Sequence, residues 1–576
     1  MVSTMEIASQ DPILEEAERS FGLSYLFPYQ RLVISNVLEA MANPEALGRR
    51  QLVILPTGAG KSLCFQLPAV MIKEMTVVIF PLLSLMADQE RRMQEGGIRC
   101  RVLRGGQSAE ERTEIWKEAD AGALRILLTN PETASGPEVL KRLSALPIGH
   151  IVIDESHCVA EWGETFRPSY LKLKEVVAAL PAAVVTAFTA TASPPILAKI
   201  TEHVFGSAAA HLIVGNPDRS NLRYSVLPTL SKDATLISLL SPHPPGAPAD
   251  LCPPSASGEL RPPSAPADLC PPGLQRPALI FCATRKRAEN TAMLLRERLG
   301  EDEIRYYHAG LSREEKKRIE DWFFQSPNGI LASTTAYGMG VDKANIRSVL
   351  HRDVSPSIES YLQESGRAGR DREPAEAVLL FSPSDTAPRG APNSANSPTT
   401  ANAEPPDYTE QRRLAMLAYA AGSDCRREHL LRLLGHELEF CNGCDVCRGT
   451  AVHEAPELPV LLRFVARNAR ALTLDEAVAT ASGERSHFVF SRGLHLRRDY
   501  GCLSTMHPDE VRDCFTVLEN GGLLARPGRS LFPRRLRLTA AGRARLRLSP
   551  AGRARLRLTH ISQRQSRTRR TGEPAA

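Results

Sequence analysis

Short, unbroken apolar runs recur through the first half of the chain: QLVILP, TVVIF, RILLTN, HIVIDE and VVTAFTAT. Polar or helix-patterned stretches separate them. A strand covered on both faces reads as a continuous apolar run, and strands alternating with helices build a parallel sheet. A second series, ALIFCAT, GILAST, IRSVLHRD and AEAVLLF, repeats the rhythm further on. The pattern predicts an α/β chain with two parallel-sheet domains, at 1–215 and 216–385.

Two stretches interrupt the rhythm. Residues 241–277 turn to Pro, Ala and Ser, and the octapeptide APADLCPP occurs twice, at 247–254 and 265–272. Such a stretch cannot pair strands or bury much surface, so it is expected to be a disordered insertion in the second domain. The segment 386–408 has linker composition. Beyond it, RRLAMLAYAAG and CRREHLLRLLG carry helical periodicity through a small domain at 409–452. A helix-rich unit at 455–548 ends in VLENGGLLARPGRSLFPRRLRLT, which reads as helix, turn and β-hairpin. The last residues, 549–576, form a basic tail expected to lack fixed structure.

Composition narrows the classes. A length of 576 residues implies three to five domains, and 24% charged residues is ordinary for a globular chain. The net charge of +6 is unevenly placed, because Arg534 to Arg570 holds no acidic residue. An anionic partner and a solvated tail both fit that run. The first residues lack a secretory pattern, and Lys73 and Glu74 interrupt the most apolar stretch, so a soluble intracellular protein with no membrane contact is expected. There most of the 12 Cys should be reduced.

The stretch LPTGAGKS at 55–62 departs from the phosphate-loop pattern G-x-x-x-x-G-K-[ST] by having Leu55 in the first position. Its setting, after a strand and before a helix, is still that of a loop whose amides surround phosphate oxygens. Gly58 and Gly60 allow close approach, Lys61 neutralises β/γ-phosphates and Ser62 suits a Mg²⁺ ligand. Thr57 falls within the same nucleotide-binding stretch. In IVIDESH, Asp154 and Glu155 stand at the carboxyl end of an apolar strand, where α/β sheets bind ligands. Asp154 suits Mg²⁺, and Glu155 suits the base that deprotonates the attacking water. Cys425, Cys441, Cys444 and Cys447 follow the spacing C-x15-C-x2-C-x2-C, a set of four thiolates for structural Zn²⁺.

In their order, FGLSYLFPYQ (21–30), LPTGAGKSLCFQLPA (55–69), PLLSLMADQ (81–89), DESHCVAEWGETFRP (154–168), FTATA (188–192), YHAGL (307–311), STTAYGMGVDK (333–343) and ESYLQESGRAGRD (359–371) resemble the RecQ family of superfamily 2 helicases. The resemblance covers roughly residues 20–545 apart from the Pro-rich insertion. It implies two RecA-like motor domains, a helical zinc-binding subdomain that includes a long helix from CRREHLLRLL, and a winged helix. It also implies an ATP-dependent helicase that moves 3′→5′ on single-stranded DNA and unwinds duplex or branched DNA in recombination and repair.

On the same resemblance, Gln30 reads adenine, Asp342 belongs to the ATP-site and coupling motif, and Arg367 and Arg370 reach the γ-phosphate across an interdomain cleft. Trp162, Phe166 and Arg167 lie in an aromatic-rich loop that senses single-stranded DNA; as residue types, the two aromatics fit base stacking and a hydrophobic core alike. The chain departs from the family at Phe27, where Arg is usual, at Glu164-Thr165, where a His-Asp pair is usual, and at Ser156, where Ala is more common. Expected partners are single-stranded and duplex DNA, with a single-stranded-DNA-binding protein or a repair nuclease as candidates. The expected compartment is cytoplasmic, nucleoid-associated in a bacterium or nuclear in a eukaryote. An RNA helicase uses the same motor, and a DNA-binding scaffold with a decayed motor is the other alternative; the intact set Lys61, Ser62, Asp154, Glu155, Arg367 and Arg370 weighs against decay.

Overall fold

A computed structural model describes residues 11–548 except 44, 57, 163–166, 191, 216–217, 242–273, 339–342, 387–407, 439, 442, 498 and 527–534, and without the side chains of 47, 84, 161, 162, 338 and 408. Thr57, Phe166, Asp342, the Trp162 side chain, most of the insertion and linker, and the basic tail therefore lie outside the described residues.

The first lobe is a parallel sheet of β1 (Arg50–Ile54), β2 (Met75–Ile79), β3 (Cys100–Val102), β4 (Ile126–Thr129), β5 (Ile148–Ile153), β6 (Val184–Thr189) and β7 (His211–Val214), in the order β3-β4-β2-β5-β6-β1-β7. Side chains alternate faces along a strand. Leu52, Ile54, Ile151 and Ile153 accordingly enter one buried layer, and Val53, Leu55 and Val152 the other. Helix Pro194–Phe205 closes the first layer with Ile196, Ile200 and Val204, and helix Leu63–Met71 closes the second with Cys64, Phe65 and Ala69. Cys64, Cys100, Cys158 and Cys282 are all buried and unpaired by disulfide.

The second lobe has β8 (Leu222–Pro228), β9 (Ala278–Phe281), β10 (Ile304–Tyr307), β11 (Ile330–Ser333), β12 (Ser348–His351) and β13 (Ala375–Phe381), all parallel, in the order β10-β11-β9-β12-β13-β8. The apolar runs marked neither β3, β7, β8 nor β10. Of these, β7 exposes three of its four residues, β10 buries only its two ends, and β8 alternates buried with more exposed positions. The Pro-rich insertion leaves the sheet between helix Lys232–Leu240 and β9, where Leu274 N donates to Leu239 O at 2.9 Å.

The Cys-bearing unit grips the outer edge of β8. Asn221 O accepts from Ala375 N, so odd-numbered backbone groups of β8 turn toward β13 and even-numbered ones turn outward. Arg427 Nη2 donates to Leu222 O at 2.5 Å, Asp445 N donates to Tyr224 O at 3.0 Å, and Val226 N donates to Asp445 Oδ2 at 3.0 Å. The helix after Cys425 spans only Arg426–Leu433, shorter than the family resemblance implies, because Gly435 turns the chain with φ +81° and donates back to Arg432 O.

The C-terminal unit packs helices Glu457–Arg467, Leu474–Ser482, Pro508–Asn520 and Ala540–Leu548 around Leu461, Phe464, Val511 and Phe515. An antiparallel pair, β14 (Leu524–Ala525) and β15 (Arg537–Leu538), forms the two arms of the expected hairpin. Its tip, with Arg529 and Arg534, lies outside the described residues. Leu230 of the second lobe joins this core, and Arg298 Nη2 donates to Glu510 Oε1 at 2.7 Å. Arg526 is engaged by Glu519 at 2.8 and 2.5 Å, and Arg535 Nη1 donates to Arg470 O, so both are held within the unit.

Arg427 is 2% exposed and also meets Asp218 at 3.3 Å. Arg427→Met keeps the stem but strands Asp218 and the β8 carbonyl, and should cost ~3 kcal/mol of stability, read as a lower urea midpoint. An unchanged midpoint would show that the guanidinium does not hold this junction.

Candidate functional site

The end of β6 ties the two site-bearing loops together. Leu55 N donates to Thr189 O at 3.0 Å, and Ser156 N donates to Phe188 O at 2.8 Å. Leu55 is fully buried and extends β1, which explains why glycine is dispensable there. The glycines the loop does need come later: Gly58 has φ +84° and Gly60 φ +76°. A Cβ on Gly60 would also lie 2.4 Å from Gln30 Nε2. Gln30 is 5% exposed; its Oε1 accepts from Phe27 N and its Nε2 donates to Ala59 O, both at 3.0 Å. Tyr29 Oη donates to the same carbonyl at 3.3 Å. Gln30, expected to read adenine, thus holds the phosphate loop directly, with Tyr29 beside it.

Helix Leu63–Met71 starts just after Lys61 and half-buried Ser62. Lys61 Nζ lies 3.5 Å from Glu155 Oε1, with the two side chains 13% and 18% exposed. Asp154 N donates to Ile79 O, and Asp154 Oδ1 accepts from Glu155 N at 3.0 Å. Glu155 adopts φ +49°, a left-handed conformation uncommon for a residue with a side chain and enriched at functional sites. Its Oε2 lies 3.3 Å from His157 Nδ1 and, among the described residues, accepts no aligned hydrogen bond. Burial pushes the Asp154 carboxyl up, and the adjacent Glu155 charge adds to that. Burial opposes ionisation of Glu155 too, but Lys61, His157 and Arg367 outweigh it and hold this carboxyl below its usual range.

The second lobe closes on this group. Arg367 is 5% exposed, and burial with the neighbouring Arg370 lowers its guanidinium to about 10, so it remains charged at neutral pH. A Cβ placed on Gly58 would touch Arg370 Cγ at 4.0 Å. The sequence-predicted Lys61, Glu155, Arg367 and Arg370 therefore meet in one cleft, with Asp154 beside them. His157 and Thr189, 3.1 Å apart between Nδ1 and Oγ1, were not singled out from sequence, although both lie in quoted motifs.

Arg167 has its own partners in the first lobe. Its Nε and Nη2 each donate to Glu132 at 2.7 Å, and its Nη1 donates to Pro81 O. A pattern of residue types carries no sign of that engagement.

The four cysteine sulfurs lie within 4.8 Å of one another. Cys425 and Cys444 are 3.8 Å apart, the separation that tetrahedral Zn–S bonds of ~2.3 Å require. Amides turn toward the sulfurs: Glu428 N faces Cys425 Sγ at 3.5 Å and Cys447 N faces Cys444 Sγ at 3.4 Å. For Cys441, burial works against the thiolate, and the Gly443 and Cys444 amides together with the Cys425 and Cys444 thiols more than offset it. Four soft donors with no open position fit structural zinc. Asp445 extends the site outward, accepting from Arg426 Nε at 3.1 Å while it bonds β8.

A phosphate loop in one RecA-like sheet, faced by paired arginines from a second, defines the two-lobed motor class to which helicases belong. Family models match in chain order: DEAD/DEAH box helicase over 27–200, helicase conserved C-terminal domain over 272–372 and RecQ zinc-binding over 395–448. The ATP-dependent DNA helicase RecQ of Haemophilus influenzae is 33% identical over 76% of this chain and 64% of its own length. That of Bacillus subtilis is 29% identical over 81% of this chain and 73% of its own. The helicase MrfA bound to DNA shares the fold, with a TM-score of 0.51 at 17% identity over 92% of this chain and 62% of that one. The protein belongs to the RecQ family. It spans 64% and 59% of the length of the H. influenzae and Pasteurella multocida relatives.

Cys444→Ser removes one of four donors and should cut bound zinc, measured by elemental analysis, to well below one ion per chain. A wild-type chain that folds normally without metal would overturn the zinc assignment.

Proposed function

We propose that the protein is an ATP-dependent DNA helicase that moves 3′→5′ along single-stranded DNA and unwinds duplex or branched DNA in recombination and repair. The reading is carried by one observation: Lys61 and Glu155 of the first lobe face Arg367 of the second within a single largely buried cleft. In it Gln30 contacts adenine, and Thr57, Gly58, Gly60 and Lys61 cradle the phosphates. Ser62 and Asp154 would hold Mg²⁺, which neutralises charge on the β- and γ-phosphate oxygens when bound. The burial and Glu155 charge that push the Asp154 carboxyl up would be offset by a bound cation. Glu155 orients the attacking water and takes its proton; its carboxyl is ionised at neutral pH, and its Oε2 accepts no aligned hydrogen bond among the described residues. Arg367 and Arg370 meet the γ-phosphate only when the lobes close, which couples hydrolysis to motion. Asp342 belongs to the same coupling.

Trp162 and Phe166 stack on bases and Arg167 pairs with phosphate, while the C-terminal unit acts as a winged helix on duplex DNA. DNA is favoured over RNA because the H. influenzae and B. subtilis relatives are named DNA helicases. A single-stranded-DNA-binding protein or a repair nuclease is the proposed class of protein partner. No described helix is long and apolar enough to cross a membrane. The proposed compartment is the nucleoid of a bacterium or the nucleus of a eukaryote.

The test is steady-state ATP hydrolysis without nucleic acid, with single-stranded DNA and with RNA of the same sequence. DNA should stimulate strongly, and Lys61→Ala should abolish the response. Stimulation by RNA and not DNA would overturn the substrate assignment. Glu155→Gln should retain nucleotide binding but lower kcat by ~10²–10⁴-fold; unchanged turnover would remove Glu155 as the base.

A further inference from the structure

Two residues with no role in the cleft described above face one another across it. The Arg372 guanidinium lies over the Phe27 ring, 5.0 Å from its centroid. Phe27 stacks on Tyr29 with centroids 5.5 Å apart and planes 5° from parallel, and Tyr25 meets Phe27 edge-on at 5.6 Å. Tyr29 in turn bonds Ala59 O. A continuous line of contact therefore runs from the second lobe, through two stacked rings, into the loop that carries Lys61.

The second-lobe end of that line is built with care. Arg372 has φ +69°, a conformation that strains a residue with a side chain and that glycine would adopt freely. The surrounding turn imposes it. Arg372 N donates to Gly369 O at 3.0 Å, Asp371 N donates to Ala344 O at 3.2 Å, and Arg347 clamps Asp371 at 2.6 and 2.5 Å. Asn221 Nδ2 ties Gly369 O and Glu373 O together, both at 2.8 Å. With Asp371 engaged by Arg347, the Arg372 side chain turns to the opposite lobe. Arg370, whose stem approaches Gly58, is two residues away on the same rigid turn.

We propose that Arg372 and Phe27 form a latch across the nucleotide cleft, in which a cation–π contact positions the arginine-bearing turn against the phosphate loop. Arg372 is a positioning residue: it acts through Arg370 and Arg367 and touches no phosphate itself. Phe27 is the departure noted in the sequence, where Arg is usual, and an Arg there would repel Arg372. An aromatic face at 27 and a cation at 372 are complementary. The latch assists closure from the base side of the nucleotide, apart from the charge attraction at the γ-phosphate. The inference rests on the ATPase reading for its kinetic consequence and on the contact alone for its structural one.

The experiment is a double-mutant cycle on the full chain with Phe27→Leu, Arg372→Ala and both together, at constant zinc content and unfolding midpoint. Each single change should raise the ATP KM by ~2- to 5-fold, and the double should be no worse than either single. Phe27→Trp and Arg372→Lys keep a ring and a cation and should retain most of the wild-type KM. Additive effects, or an Arg372→Lys enzyme as impaired as Arg372→Ala, would overturn the latch. Small-angle scattering with methylanthraniloyl-ADP gives a readout that needs no turnover: the singles should be more open than wild type, and equal radii of gyration would count against the latch. Absence of Lys61-dependent hydrolysis in the wild type would sink the ATPase reading and leave the scattering comparison to decide the latch.

Discussion

A lysine and a glutamate 3.5 Å apart in a largely buried cleft impose the constraint on which the first lobe depends. At an effective dielectric of ~20 their attraction is ~4–5 kcal/mol, while withdrawing each ion from water costs several kcal/mol. The pair therefore adds little net stability, and its importance is positional. Lys61 follows β1 and Glu155 follows β5, with β6 between the two strands. Only a parallel arrangement brings both loops to one end of the sheet, and the last residues of β6 bond each of them. The buried layers on either face of the sheet keep that register.

The sequence was most readable where physics leaves one solution. Strands covered on both faces must be apolar throughout, so β1, β2, β4, β5 and β6 stand out; β7, β8 and β10, half-exposed, lack that signature. The phosphate loop survived the loss of its first glycine because Leu55 belongs to the strand and Gly58 and Gly60 take the left-handed turns. The brevity of the helix after Cys425 is legible in Gly435, whose left-handed turn ends it. Other features had no local signal. Whether Arg167 faces solvent or Glu132, and whether Arg372 meets an aromatic ring, depends on segments far apart in the chain.

The second lobe and the cysteine unit behave as one body. Asp445, next to Cys444, gives its amide and one carboxylate oxygen to β8 and receives Arg426 on the other oxygen. Arg427 adds the neighbouring carbonyl and Asp218. The thiolate cluster thus bears on motor geometry without lying near the cleft: it fixes the short knuckle from which Asp445 projects. The turn that holds Arg367, Arg370 and Arg372 begins after helix Ile358–Ser365, whose Glu359 bonds Arg412 of helix Tyr408–Ala421.

The same junction bears on how the protein behaves in a crowded solution. A terminal strand of a sheet offers a row of unpaired amides and carbonyls, a template on which another chain can extend the sheet. In β8 that row is taken up by the carbonyls of Leu222 and Tyr224 and the amide of Val226, each matched by Arg427 or Asp445. The Cys-bearing knuckle is therefore also a cover over the β8 edge of the second sheet, which shields these groups from an incoming strand.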